Sequence, residues 1–212
     1  GGYSGIVTDQ TAIQFRMLNR SKGPAMWSPR VQNDRVAFSM KWREILENTP
    51  NLDLLQDIVS ELIVEKDKII GIKTKFNITI YSSVVILTAG TFLNGLMHVG
   101  KTKLTGGRVS EPSSDFISEQ LKSYGIKTGR LKTGTPARLD GRTINFCELI
   151  EQKGDEDFRQ FSFLPQSRII ENQRSCYIAH THPGVHKILK TGFHESPMFN
   201  GTIKSIGPRY CP

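Results

Sequence analysis

The alternation of apolar and polar positions divides the chain into short segments of mixed type. Between Val31 and Asn48, residues Phe38, Trp42, Ile45 and Leu46 fall at i, i+4, i+7 and i+8. That is the spacing of one helical face, and Thr49-Pro50 ends it. Leu52 to Val59 reads as a strand. Glu61-Leu62-Ile63-Val64 and Ile69-Ile70-Gly71-Ile72, parted by the charged Glu65-Lys66-Asp67-Lys68, read as a hairpin. Ile78 to Tyr81 adds another strand. Val84-Val85-Ile86-Leu87 then runs into Thr88-Ala89-Gly90-Thr91-Phe92. An uninterrupted apolar run predicts a buried parallel strand covered on both faces, and the small residues behind it let a backbone approach a ligand. Ligands of open α/β sheets sit beyond the carboxyl ends of strands, so this turn is the first candidate binding position.

The flanking segments are less regular. A short helix is predicted around Gln10 to Leu18, within a Gly-, Ser- and Pro-rich stretch over residues 1–30. It reads as a structured loop, because Phe15, Met26 and Trp27 need packing partners. A helix from Asp115 to Tyr124 is closed by Gly125, with Ser113 and Ser114 where an N-cap belongs. Gly129 to Arg138 forms a basic, turn-rich loop suited to an anion. It lacks the Gly-Lys-Ser/Thr that opens a helix behind a P-loop. Phe146, Phe158, Phe161 and Phe163 predict a small irregular insertion over 140–180 with its own minor core. A strand at Cys176 to Ala179 leads into a helix with Pro183 in its first turn and Gly192 at its end; Val185, Ile188 and Leu189 share one face.

Composition narrows the class. The 212 residues are 37% hydrophobic, enough for a real core. No apolar run approaches the ~20 residues of a membrane span, and the first residues lack the features of a signal peptide, so a cytoplasmic protein is expected. The chain begins without Met and ends at Cys211-Pro212, which predicts a piece of something longer. Three cysteines without a C-x-x-C pair argue against a disulfide framework. The net charge of +8 is unevenly placed, with nine Lys/Arg against four Asp/Glu between Lys101 and Arg142. Such a segment suits a polyanion, with a merely solvated face as the alternative. Cys176, His180, His182 and His186 are all of metal-ligand type, but no carboxylate supports them and no metal site is predicted. Cys211 lies two residues from Arg209, whose charge would lower the thiol pKa; a reactive and an inert thiol both fit.

Several strings act together as a signature. They are Asp9-Gln10 with Ile13-Gln14-Phe15-Arg16 and Leu18-Asn19, Ser21-Lys22-Gly23-Pro24-Ala25, Leu87 to Phe92, Gly106-Gly107-Arg108, Gly129 to Pro136, Ser196-Pro197-Met198 and Gly207-Pro208-Arg209-Tyr210-Cys211-Pro212. Over essentially its whole length the chain resembles the flavin-dependent tRNA uridine-modifying MnmG (GidA) family. The resemblance implies an α/β fold, part of an FAD-binding Rossmann-like domain of glutathione-reductase type with an inserted smaller α/β domain. Residues 1–135 would be the central part of the FAD-binding domain, 136–200 the NADH-associated insertion, and 201–212 the return to the FAD-binding domain.

The implied activity is addition of an aminomethyl or carboxymethylaminomethyl group to carbon 5 of the tRNA wobble uridine. Methylene-tetrahydrofolate is the one-carbon donor and reduced flavin the carrier, with a GTPase partner, MnmE, and a homodimer forming a heterotetramer with it. A nucleophile at carbon 6 of the base would enrich carbon 5 in electrons, and Cys211 matches the family's important cysteine. By the same resemblance Val59 meets the adenine of FAD through its backbone, and Ala89, Gly90 and Thr91 pass close to the dinucleotide. Ser114 contacts the flavin, and Gly207, Pro208, Arg209, Tyr210, Cys211 and Pro212 begin the isoalloxazine-side segment. Around Ser114 the family's usual Gly-Asp-Pro-Pro-Ser is replaced, with Ser110, Glu111 and Ser113 departing. A glycine-rich dinucleotide fingerprint and a second cysteine are expected before Gly1, and the rest of the flavin segment after Pro212. The chain alone is therefore expected to bind FAD poorly and to be inactive. Alternatives are the related folate- and FAD-dependent tRNA uracil-54 methyltransferase, a non-catalytic tRNA-binding module, and a generic flavin oxidoreductase.

Overall fold

The computed structural model describes residues 2–157, 160–164, 172–205 and 207. In chain order its helices are α1 (Tyr3–Thr11), α2 (Arg35–Glu47), α3 (Ile117–Ser123) and α4 (Pro183–Thr191). Its strands are β1 (Ala12–Leu18), β2 (Ser28–Asn33), β3 (Val59–Glu65), β4 (Lys68–Thr74), β5 (Thr79–Tyr81), β6 (Leu96–Val99), β7 (Thr102–Thr105), β8 (Ile150–Gln152) and β9 (Cys176–Ile178). Among the described residues these strands form antiparallel sheets, β1-β2, β3-β4-β5, β6-β7 and β8-β9. Two compact units result, one from Gly1–Leu54 with Leu139–His180, the other from Leu55–Arg138 with Thr181–Pro212. Among the described residues no helix is long and apolar enough to cross a membrane.

In the first unit, the helix expected from Gln10 to Leu18 lies earlier, as α1. Ala12–Leu18 is a strand, because Ile13, Phe15 and Met17 alternate at period 2. It pairs with β2 in the register Phe15↔Val31 and Met17↔Pro29. Val31 thus belongs to a strand, and α2 starts only after Asp34, whose carboxylate caps it by accepting from Val36 N (2.9 Å) and Ala37 N (3.0 Å). The predicted stripe of α2 is half-buried, with Phe38 and Trp42 edge to face at 6.4 Å.

Chain from the far end of the sequence is stitched to β1. Gln14, 1% exposed, donates to the carbonyls of Gln152 (3.3 Å) and Arg174 (3.0 Å), and Met17 N donates to Asp155 Oδ2 (2.6 Å). Arg20 Nη2 bridges Asp155 (3.2 Å) and Asp157 (3.0 Å). Among the described residues the minor core expected for 140–180 is not seen. Phe146 packs on Tyr177 at 4.7 Å, Phe161 is part-exposed, Phe163 is fully exposed, and Phe158 lies outside the described residues. The described part of this segment is held by hydrogen bonds to β1.

In the second unit the expected hairpin is β3-β4, turning at Lys66 and Asp67, both with positive φ. The strand expected from Leu52 begins only at Val59. Beyond β5 the chain leaves the sheet. Ser82 Oγ donates to the Val84 carbonyl (2.8 Å) and accepts from Val84 N (3.3 Å), a local closure that competes with a ladder. The buried parallel strand expected at Val84–Phe92 is consequently absent. Val84, Ile86 and Leu87 are 65%, 81% and 45% exposed, and no described strand pairs with them. Helix α3 is shorter than expected, and neither serine caps it. Phe116 occupies the N-cap with φ +75°, while Ser113 Oγ donates to Asp115 (2.7 Å). Helix α4 has Pro183 in its first turn and Gly192 as C-cap, as the sequence predicts.

Candidate functional site

Five of the expected cofactor residues meet in one hydrogen-bonded knot of the second unit. Ser114 Oγ donates to the Val59 carbonyl at 2.8 Å, tying the start of α3 to the start of β3. Ser114 N donates to Phe92 O (2.9 Å) and Asn94 N to Ser114 O (3.1 Å). Phe92 N closes the small-residue turn onto Ala89 O (3.0 Å), and Thr91 Oγ1 donates to Gly107 O (2.9 Å). Val59, Ala89, Gly90, Thr91 and Ser114 therefore share one framework, although they are far apart in the chain.

Two glycines make the knot possible. Gly90 has φ +55°, and nothing stands within 4 Å of where a Cβ would be, so its outer side is open to a ligand. A Cβ on Gly107 would stand 2.5 Å from the Phe92 ring, so only glycine lets Phe92 lie against this turn. The amides of Gly90 and Thr91 donate to no acceptor among the described residues. An exposed turn with two free N–H groups matches a phosphate or ribose oxygen. The donor set thus fits a dinucleotide such as FAD.

Sequence reasoning missed Phe92, Gly107 and Arg130 as parts of this arrangement. Arg130 Nη2 donates to the carbonyl of Asn94 (2.8 Å), joining the basic loop to the knot. The glycine pair and the basic Gly129–Arg138 loop are visible signals, but nothing in the sequence ties Arg130 to Asn94. Gly207 lies beside Lys132, whose Nζ would be 3.6 Å from a Cβ placed there. Pro208, Arg209, Tyr210, Cys211 and Pro212 lie outside the described residues.

The basic stretch separates into paired and unpaired cations. Lys101 pairs with Glu195 (2.9 Å), Arg108 with Glu111 (3.2 Å), Lys122 with Glu119 (2.9 Å) and Arg142 with Asp140 (2.6 Å). The hydrogen bond from Lys101 holds the Glu195 carboxyl below its ordinary pKa, and that from Arg142 does the same for Asp140. Lys103, Lys127, Arg130, Lys132 and Arg138 form no ion pair among the described residues. Among the described residues no group of three His, Cys, Asp or Glu could hold a metal. Cys176 contacts Gln14 and Gln32, His182 Nδ1 accepts from Gly184 N, and His186 meets Thr181.

A family model described as "Glucose inhibited division protein A" matches residues 1–212. A protein named tRNA uridine 5-carboxymethylaminomethyl modification enzyme MnmG from Parabacteroides distasonis is 56% identical over all 212 residues, which cover 34% of its length. Its counterpart from Flavobacterium johnsoniae is 55% identical over the same span and share. The solved Aquifex aeolicus GidA, in its form I crystal, superposes with a TM-score of 0.87 at 38% identity, covering 100% of this chain and 36% of that one. The expected α/β class of an FAD-binding domain therefore holds, and the chain spans about a third of the length of the curated relatives it matches.

Proposed function

The chain belongs to the glucose inhibited division protein A family, and from that premise we propose that it is the cofactor- and RNA-facing part of a flavoprotein that modifies the wobble uridine of tRNA. The product would carry an aminomethyl or carboxymethylaminomethyl group at carbon 5. The observation that supports this reading is the knot of Val59, Ala89, Gly90, Thr91 and Ser114, because the residues that the resemblance assigns to the cofactor share one hydrogen-bonded framework with an open, donor-bearing turn. These residues, with Gly207, Pro208, Arg209, Tyr210, Cys211 and Pro212, would hold FAD. When bound, FAD would supply redox chemistry with NADH and carry the one-carbon unit from methylene-tetrahydrofolate.

Gly90 and Thr91 offer amides to cofactor oxygens. Ser114 has committed its proton to Val59, so it would meet the cofactor as an acceptor or through its backbone. The Cys211 thiolate adds to carbon 6 of uracil, forming a carbon–sulfur bond and moving the ring electron pair to carbon 5. After substitution there, loss of the carbon 5 proton expels the thiolate. The assembly would be a homodimer joined by the GTPase MnmE.

The test is Cys211→Ser in the protein at its full natural length, with nucleoside analysis of tRNA and the flavin absorption spectrum. Loss of the modified nucleoside with flavin retained is expected. Near-normal modification overturns the nucleophile assignment.

A further inference from the structure

Phe193 and Phe199 stack face to face in the second unit, with ring centroids 4.2 Å apart and planes 11° apart. The pair is not core: Phe199 is 62% exposed, and Met198 beside it 52%. An aromatic stack left this open removes little apolar area from water, so its rigidity calls for another account.

The turn beneath Phe199 is heavily bonded. Phe199 N (3.0 Å) and Asn200 N (2.9 Å) both donate to Ser196 O, Ile203 N donates to Pro197 O (2.9 Å), and Asn200 Oδ1 accepts from Thr202 N (3.0 Å) and Thr202 Oγ1 (2.6 Å). The ring is held before any ligand arrives. Its cation is equally placed, since Lys132 Nζ rests on Met198 Sδ at 3.6 Å. Lys101 is neutralised by Glu195, two residues from Phe193, whereas Lys132 stays without an ion pair among the described residues, as do Lys103, Lys127, Arg130 and Arg138. An exposed aromatic ring whose sequence neighbour Met198 carries the unpaired Lys132 ammonium is the chemistry that recognises an unpaired nucleotide of a polyanionic strand.

We propose that Phe199, backed by Phe193, is a stacking ledge for one unpaired base of an RNA strand, with Lys132 receiving the adjoining phosphate. A lone mononucleotide would use Lys132 alone, whereas the five cations of 101–142 without ion pairs among the described residues give this stretch the excess positive charge that favours a strand. The assignment rests on the tRNA-modification reading above and names positioning residues within it.

The test uses the full-length protein and measures binding of tRNA and of a short unstructured oligoribonucleotide across a salt series. Phe199→Leu keeps apolar cover but removes the aromatic face, and it should weaken binding of both RNAs by about 5- to 100-fold, as for a lost base stack. Phe199→Tyr should restore most of it. Lys132→Met should reduce the slope of log affinity against log salt by about 0.7, one single-strand phosphate contact. Equal binding by wild type and Phe199→Leu, equal losses in the Leu and Tyr variants, or an unchanged slope for Lys132→Met would each overturn the ledge. Failure of the broader reading looks different: tRNA from cells holding only the wild-type protein would lack the modified wobble nucleoside, whatever the oligoribonucleotide data.

Discussion

Asp9 offers the sharpest test of how the first unit is held. Its carboxylate is 2% exposed and accepts from Phe161 N (2.5 Å) and Ser162 N (2.8 Å), across a sequence separation of about 150 residues. It stands in the last turn of α1, where the helix macrodipole disfavours an anion by roughly 0.3–1 kcal/mol. The two amide bonds must outweigh that. Hydrogen bonds to a charged group contribute about 1.5–3 kcal/mol each, and both amides are only part-buried, which moves the sum to the low end. Asp9→Ala, after crediting the relieved dipole, should cost about 2–4 kcal/mol. Asp9→Asn keeps one acceptor but turns an NH2 toward the other donor, and should cost roughly 1–3 kcal/mol. Both tryptophans, Trp27 and Trp42, lie in this unit, so urea unfolding followed by tryptophan fluorescence reports on it selectively. Against a domain stability of roughly 5–15 kcal/mol the shift is large. An Asp9→Ala midpoint within error of wild type, at unchanged m-value, would show that the 160–164 segment is not held by this carboxylate.

Gly107→Ala would place a methyl 2.5 Å from the Phe92 ring and should destabilise the knot by about 1–3 kcal/mol, read as a lower melting temperature and weaker flavin retention in the full-length protein. Unchanged retention would detach Phe92 from the cofactor turn. The carboxyls of Asp157, Asp140 and Glu195 are held below their ordinary pKa by hydrogen bonds from Arg20, Arg142 and Lys101 respectively. A carboxyl with a depressed folded pKa stabilises above its unfolded pKa, and that contribution fades as pH falls through the folded value. Carboxyl-detected NMR titration should place all three midpoints below those of exposed unpaired carboxyls, and charge-neutralising Arg20→Gln should return Asp157 upward; an unmoved midpoint would refute the pairing.

Much of the local structure was legible because its cause is local. The helical stripe of Phe38, Trp42, Ile45 and Leu46, the Lys66-Asp67 turn, and the Pro183 and Gly192 ends of α4 each depend on neighbours in sequence. What failed was non-local. Gln14 lies in the stretch expected as a short helix, yet it is a buried strand residue because carbonyls of Gln152 and Arg174 receive its amide. Ser114 looks like a cap, yet its hydroxyl turns to Val59, 55 positions away. Val84 to Leu87 illustrates the opposite error, in which apolarity was taken for burial although Ser82 diverts the chain from the sheet. The candidate site was assembled from strings whose resemblance named the residues, while the bonds that unite them belong to the fold.

That diverted stretch has a consequence for handling the chain. Val84-Val85-Ile86-Leu87 carries no charge and no proline, and β-branched residues fill three of its four places. Its backbone has no ladder partner among the described residues, and Val84, Ile86 and Leu87 are exposed. Such a run is the template on which a second extended chain zips up, so two copies brought close can satisfy each other's amides. Colloidal behaviour, and not folding stability, then sets the concentration at which the chain remains monodisperse, and a single lysine at Ile86 is the gatekeeper that would raise it.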